Sequence, residues 1–493
     1  MKNQVIAIDQ STSATKAMLF SAEGKMLKRV NVAHAQIYPR KGWVEHDAME
    51  IYANTLSAIR ELLADREADG TNYSLAITNQ RETVVVWDKE TGLPVYNAVV
   101  WQCMRGEEIC RNLRDAGQEE TVRSRAGLLI DPFFSASGVK WILDNVEGAR
   151  EKADAGTLAM GTIETWLIWK LTAGRSFVTD YTNASRTMLF NIHTMDWDDE
   201  LLALFGVNRS MLARPLPCDS IFGVTTLDGL FDTPVVIAGA IGDSHGALVG
   251  QTCFEAGLGK ATYGTGSSVM VNIGENAAPA PEGLVTSVGF AALGKVFYAF
   301  EGNIHCTGAT LKWLQDKLQL ITSPAETEEL ATSLPSNEGV YLVPAFAGLG
   351  APWWNPNARA AVFGMTLDTG KAHVARAGLE SIAYQITDLV SAMTERAGIS
   401  VKGLRVDGGP TRNNFLMQFQ ADCLDVPVDI SDIEEASAYG AFIMNRYALG
   451  LWKTFGEAAA TRKSRAVKQP DSSVRHSMEQ WREGWRHAID KLM

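Results

Sequence analysis

Three aspartates in this chain end apolar runs and precede small or polar residues. Val5-Ile6-Ala7-Ile8 delivers Asp9 to Gln10-Ser11-Thr12-Ser13-Ala14-Thr15-Lys16. The run from Val235 to Gly242 delivers Asp243 to Ser244-His245-Gly246, and Leu404-Arg405-Val406 delivers Asp407 to Gly408-Gly409. Tyr263-Gly264-Thr265-Gly266-Ser267-Ser268 is a further small-residue turn between strand-like runs. A carboxylate at a strand end can hold Mg²⁺, usually through water, or take a proton from an attacking hydroxyl. Turns of Ser, Thr and Gly expose amides and hydroxyls that suit phosphate oxygens. On this reading Thr12, Ser13 and Thr265 are donors, and Lys16 is a point charge for a transferring phosphoryl group. A single Ser/Thr/Gly hairpin is usually only a turn. The repetition carries the argument.

Other chemistries have less support. The sequence has no G-x-x-x-x-G-K-[ST], no G-x-G-x-x-G opening a helix, and no D-F-G with H-R-D. A phosphoryl-transfer site here needs a different phosphate scaffold. Gly242-Asp243-Ser244-His245-Gly246 matches G-x-S-x-G after an apolar strand, which is the setting of a serine hydrolase elbow with Ser244 as nucleophile. His305, His373, His476 and His487 would be the available bases, but no H-G-G-G-like oxyanion segment precedes the elbow, and Asp243 puts a negative charge beside the hydroxyl. His245 has no second ligand at metal spacing and reads as a core or supporting histidine. Six scattered cysteines without a C-x-x-C pair suit a reducing compartment, with neither a disulfide framework nor a zinc site.

The elements that must position these residues alternate between strand and helix character, which argues for α/β layering. Val5–Asp9 and Ala17–Phe20 read as a hairpin about the polar stretch. Leu75–Thr78 and Val84–Trp87 read as a second pair flanking Asn79-Gln80-Arg81-Glu82. Residues 165–171, 375–390 and 436–449 carry helical spacing. At 493 residues, with 46% hydrophobic and 21% charged, the chain has the profile of a globular protein of two domains. The recurrence of the strand–Asp–turn pattern places the division near residue 250, giving 1–250 and 251–493. Lys and Arg total 45 against 57 Asp and Glu, a net charge of -12 that disfavours nucleic-acid and anionic-membrane partners. No apolar segment approaches the roughly 18 residues of a membrane span, and no signal segment opens the chain. A cytoplasmic protein without membrane insertion is expected.

The long runs are more specific. Gly42-Trp43-Val44-Glu45-His46-Asp47, Ile77-Thr78-Asn79-Gln80-Arg81-Glu82-Thr83 and Val100-Trp101-Gln102-Cys103 resemble the FGGY carbohydrate kinases, glycerol kinases among them. The resemblance continues through the run from Thr179 to Phe190, then Thr262-Tyr263-Gly264-Thr265-Gly266, Val343-Pro344-Ala345-Phe346, Arg405-Val406-Asp407-Gly408-Gly409 and Asn413-Asn414. It implies two RNase H-like domains of the actin/hexokinase type around a central cleft. The first would mainly bind a small polyol and the second mainly ATP, the cofactors being ATP and Mg²⁺. It also implies that Asp9 lies near Mg²⁺, with Thr12, Ser13 and Lys16 around the phosphates. Thr265, Gly308, Lys312, Gly409 and Asn413 then fall on the nucleotide, Asp243 on the catalytic base, and Arg81, Glu82 and Trp101 on the polyol. A homo-dimer or homo-tetramer is the expected assembly.

The chain also departs from the glycerol-kinase pattern. Phe133 stands where that pattern has a tyrosine, Ser244 where it has a glutamine, Ser268 where it has a phenylalanine, and Lys16 where it has an arginine. Two smaller side chains and a lost hydroxyl would reshape the pocket, and the expectation is a polyol larger than glycerol, such as a four- or five-carbon sugar alcohol. Glycerol itself, or a ketose such as a pentulose, is the alternative substrate. The segment before Pro234 lacks a Gly/Arg-rich loop, so feedback by a sugar bisphosphate is not expected.

Overall fold

The computed structural model describes residues 3–65, 71–395 and 398–493. The apolar run Val5–Ile8 is fully buried within the strand Asn3–Gln10. That strand pairs antiparallel with Ala14–Phe20 and parallel with Asn72–Asn79, which in turn pairs parallel with Val235–Gly242. With Met26–Ala33 and Ile221–Thr225 at its edges, this is a six-stranded sheet. Strands covered on both faces need continuous apolar runs, which is why these segments show no alternation.

A second, seven-stranded sheet repeats the plan. Leu258–Tyr263 pairs antiparallel with Ser267–Gly274 and parallel with Gly403–Gly408, which pairs parallel with Val428–Ser431. Lys295–Ile304, Val285–Ala292 and Ser464–Lys468 complete it. Each half is thus a hairpin leading into three parallel strands, the arrangement of the two-domain actin/hexokinase type. Asp9 lies near the end of the first parallel strand of its half, and Asp243 directly follows the last. Asp407 likewise lies one residue from the end of the strand Gly403–Gly408, where it pairs with Thr262 and accepts a hydrogen bond from Gln251 Nε2 at 2.7 Å.

Two local expectations are corrected. Val84–Asp88 does not pair with Asn72–Asn79; it belongs to a separate four-stranded sheet with Glu45–His46, Ala98–Val99 and Leu158–Thr162. Gln80 donates its backbone N–H to the Gln10 carbonyl, so residues 79–82 step from one sheet to another instead of turning a hairpin. The central runs Leu75–Ile77 and Val84–Trp87 are both apolar, so their sequences do not say which sheet each joins. The first hairpin is also tighter than expected: the turn is only Ser11–Ser13, and Lys16 lies within the second strand, directly opposite Asp9.

The helices Ala48–Leu62, Ile163–Leu171, Lys371–Glu395 and Ala436–Ala448 cover the sheets. The last of these crosses Asp243–Gly250, and each of the two follows the final parallel strand of its own half. Gly246 and Gly250 are four residues apart and so share a helix face. A Cβ on Gly250 would lie 2.1 Å from the Ala436 carbonyl oxygen, and one on Gly440 would lie 2.0 Å from that of Gly246. The backbones touch, and only glycine allows it. Asn445 fixes the crossing by donating Nδ2 to the carbonyls of Leu75 at 3.1 Å and Ala238 at 2.9 Å. All six cysteines are free and buried, and among the described residues no helix is long and apolar enough to cross a membrane.

Gly440→Ala should therefore force the two helices apart and cost about 1–3 kcal/mol, as overpacking does. A urea midpoint equal to that of the unmodified protein would contradict the close crossing.

Candidate active site

A cavity of about 600 Å³ opens between the two halves. Arg81 and Glu82 enter it from the step between the two first-half sheets, and Asp243 and Ser244 enter it from the start of the helix Asp243–Gly250. Trp101 and Phe133 form an aromatic wall, their rings edge-on with centroids 5.3 Å apart. Ser268, Glu301, Asn303 and His305 face them from the second half. The cavity brings together Arg81, Glu82, Trp101, Phe133, Asp243, Ser244 and Ser268, the seven residues expected around a polyol.

A charge cluster forms its floor. Arg81 Nη1 and Nη2 donate to the two oxygens of Glu301 at 2.9 and 2.7 Å, a fork-to-carboxylate bond that crosses between the halves. Arg186 donates Nε to Glu82 at 2.7 Å and places Nη1 2.8 Å from Glu301. Burial opposes ionisation of Glu301, but Arg186 and Arg81 outweigh it and hold the carboxyl well below its usual range. Arg81 Nε lies 3.2 Å from Asp243 Oδ1, yet this buried N–H makes no hydrogen bond. Burial raises the Asp243 carboxyl above its usual range, Arg81 opposes the rise, and Glu82 adds to it. Gly242 makes room for this contact: a Cβ there would lie 2.6 Å from Arg81 Cγ. The Gly242 N–H in turn donates to Thr182 Oγ1 at 2.9 Å, which fixes the backbone just before Asp243.

Asp9 lies beside this cluster on the first hairpin. Its Oδ1 is buried with no hydrogen-bond partner, and Oδ2 is 3.6 Å from Lys16 Nζ. Burial pushes its carboxyl up to about 7, against the pull of Lys16, and Asp243 and Glu435 push the same way. An orphaned buried carboxylate oxygen fits a bound cation, which would restore the lost solvation. Among the described residues no three His, Cys, Asp or Glu side chains cluster as metal ligands, so water and phosphate oxygens would complete the shell. Lys16 also donates to Glu435 of the second half at 2.8 Å, and Arg29 pairs with the same carboxylate at 2.8 Å.

A second cavity, of about 580 Å³, lies in the second half and is lined by Thr265, Gly308, Lys312, Gly409 and Asn413, the five residues expected there around the nucleotide. The Thr265 carbonyl accepts from the N–H groups of Thr307 and Ala309 at 3.0 Å each, so the hairpin is docked on the start of the helix Gly308–Asp316. Asn413 caps the helix Asn414–Leu424 by accepting from the Leu416 N–H at 2.9 Å.

The remaining phosphate-loop residues lie elsewhere. Thr12 lines the first cavity, where its Oγ1 accepts from Trp101 Nε1 at 2.9 Å. Ser13 is exposed at the hairpin turn and lines neither of these cavities. Sequence reasoning missed Glu301, Arg186 and Asn303, and marked His305 only as a candidate base of the hydrolase alternative. Arg186 lay unmarked inside the run Thr179–Phe190, and the one signal for Glu301 was an acid closing the apolar run Val296–Phe300.

The hydrolase alternative finds no support. Ser244 does follow a strand and open a helix, but among the described residues no histidine hydrogen-bonds its hydroxyl. His245 is fully buried with Nε2 3.1 Å from Ser287 Oγ, and burial together with Arg81 holds its pKa well below the usual value. His373 pairs with Glu338 and His476 with Glu479.

Residues 4–250 match the N-terminal domain, and residues 259–449 the C-terminal domain, of the FGGY family of carbohydrate kinases. The chain belongs to this family. It is 47% identical over 494 residues to a glycerol kinase of Geobacillus sp., covering 100% of this chain and 99% of that protein. It is also 47% identical over 490 residues to glycerol kinase 2 of Thermotoga maritima, covering 99% and 98%. The crystal structure of Plasmodium falciparum glycerol kinase with ADP superposes with a TM-score of 0.95 at 34% identity, covering 100% of this chain and 98% of that one. The protein is a phosphotransferase with an alcohol group as acceptor.

Replacing Glu301 with Gln removes the charge that both arginines share and should destabilise the protein by about 3–5 kcal/mol, the usual cost of breaking a buried ion pair. A denaturation midpoint unchanged in Glu301→Gln would show that the cluster does not hold the halves together.

Proposed function

We propose that this kinase transfers the γ-phosphoryl group of ATP to a primary hydroxyl of a small neutral polyol, with Mg²⁺ and in the cytoplasm. The observation that carries the reading is the buried, unbonded Arg81 N–H beside Asp243 Oδ1. A hydroxyl both donates and accepts, so one placed there satisfies the Arg81 donor and gives its proton to Asp243. Glu82 and Trp101 hold the rest of the molecule, the carboxylate accepting from hydroxyls and the indole packing on the C–H face. Asp243 accepts the proton as the new P–O bond forms and the bond from phosphorus to the ADP oxygen breaks. Its raised proton affinity suits that role better than that of an exposed aspartate.

Asp9 is the residue that would hold Mg²⁺, and such an ion supplies charge neutralisation on the transferring group. Lys16, opposite Asp9, adds a second positive charge once released from Glu435. Thr265, Gly308, Lys312, Gly409 and Asn413 bind the nucleotide from the second half. Ser244, Ser268 and Phe133 favour a polyol longer than glycerol, since they enlarge the pocket and remove a phenolic hydroxyl. Glycerol itself is the second reading, supported by the 47% identity to glycerol kinases.

Asp243→Asn should keep ADP affinity and lower kcat by about 10²–10⁴-fold, the usual worth of a general base. Turnover close to that of the unmodified enzyme would remove Asp243 from this role. A panel of glycerol, tetritols, pentitols and ketoses, assayed by coupled ADP release, distinguishes the substrates. Highest kcat/KM on glycerol would exclude the longer polyol.

A further inference from the structure

The strand Lys295–Ile304 carries Glu301 and Asn303 on one face, because alternate residues of a strand point the same way. His305 continues the row just past the strand end, and all three line the cavity between the halves. Ser268 lies directly across from Asn303 on the neighbouring strand and lines the same cavity. The row is chemically uneven. Glu301 is 2% exposed and saturated by two arginines. Asn303 and His305 are exposed, and among the described residues neither side chain makes a hydrogen bond or ion pair. Ser268 accepts from the buried Lys260 Nζ at 3.1 Å, which holds its hydroxyl back against the sheet and leaves the space before Asn303 open.

We propose that Asn303 and His305 form a subsite for the distal hydroxyls of the acceptor, and that the substrate is therefore a straight-chain polyol of four or five carbons. This rests on the reading of the cavity as the acceptor site. The carbon to be phosphorylated lies at Asp243 and Arg81, and the chain runs across the cleft toward the second half. Each hydroxyl donates once and accepts, and the Asn303 amide and His305 imidazole each offer both functions. A sugar acid fits less well, since Arg81 and Arg186 are already committed to carboxylates. Such a subsite separates substrates sharply, because a polar group left without its partner is costly.

The test compares kcat/KM for glycerol, a tetritol and a pentitol in the unmodified enzyme and in Asn303→Ala, His305→Phe and the double variant. The unmodified enzyme should prefer the tetritol or pentitol, and in the double variant that preference over glycerol should fall about tenfold or more, through KM. ADP affinity serves as the folding control. If a variant loses it, Asn303→Ser and His305→Asn replace the pair with smaller changes at the same atoms. A preference that survives in folded variants overturns the subsite and leaves the kinase reading standing. A preference for glycerol in the unmodified enzyme overturns the subsite as well, and the absence of any alcohol-dependent ADP release overturns the kinase reading itself.

Discussion

The bond between Arg81 and Glu301 joins the two halves of the molecule at the floor of the cavity between them. Neither partner is stable alone in a buried place: an unpaired guanidinium or carboxylate there would lose its hydration without return. Paired through two parallel hydrogen bonds, they fix the plane of the guanidinium, and that plane determines where its third nitrogen points. The Nε comes to lie beside Asp243 because the other two nitrogens are held by a residue from the opposite half. Arg186 makes the arrangement a closed set by bridging Glu82 and Glu301. Burial raises the proton affinity of Asp243, Arg81 opposes the rise, and Glu82 adds to it.

The rest of the architecture keeps that junction in register. The crossing of Asp243–Gly250 with Ala436–Ala448 brings the backbones of the two halves into contact directly behind Asp243. Lys16, Arg29 and Glu435 make a second ionic link near the first hairpin. The two halves repeat one plan of hairpin and parallel strands, and the cavity between them is lined by Thr12 from the first hairpin and Ser268 from the corresponding hairpin of the second half.

Much of this was legible in the sequence. Apolar runs ending in aspartate marked the strand ends, and the small-residue turns marked the two hairpins correctly. The pairing of strands was less legible: Leu75–Thr78 and Val84–Trp87 are both strands, but uniform apolarity carries no information on partners, and they separate into different sheets. The lining of the cavity was most legible where side chains are unusual for their surroundings, as with Arg81 and Glu82 after an apolar strand. It was least legible where the lining depends on contact between distant segments. Glu301 is 220 residues from Arg81, and no local pattern announces a partner at that separation. Thr12 shows the same limit, since a hydroxyl in a phosphate-like turn gives no sign that an indole 89 residues away will claim it.

The turn Tyr263–Ser268 has one further consequence. Thr265 faces one cavity and Ser268 the other, so a single turn of chain separates the two compartments. A partition this thin cannot be remodelled on one side in isolation. Any drift in sequence that widens the first cavity by moving this turn also shifts a wall of the second, so a new shape on one side is reached more freely by side-chain exchange at Ser268 than by insertions.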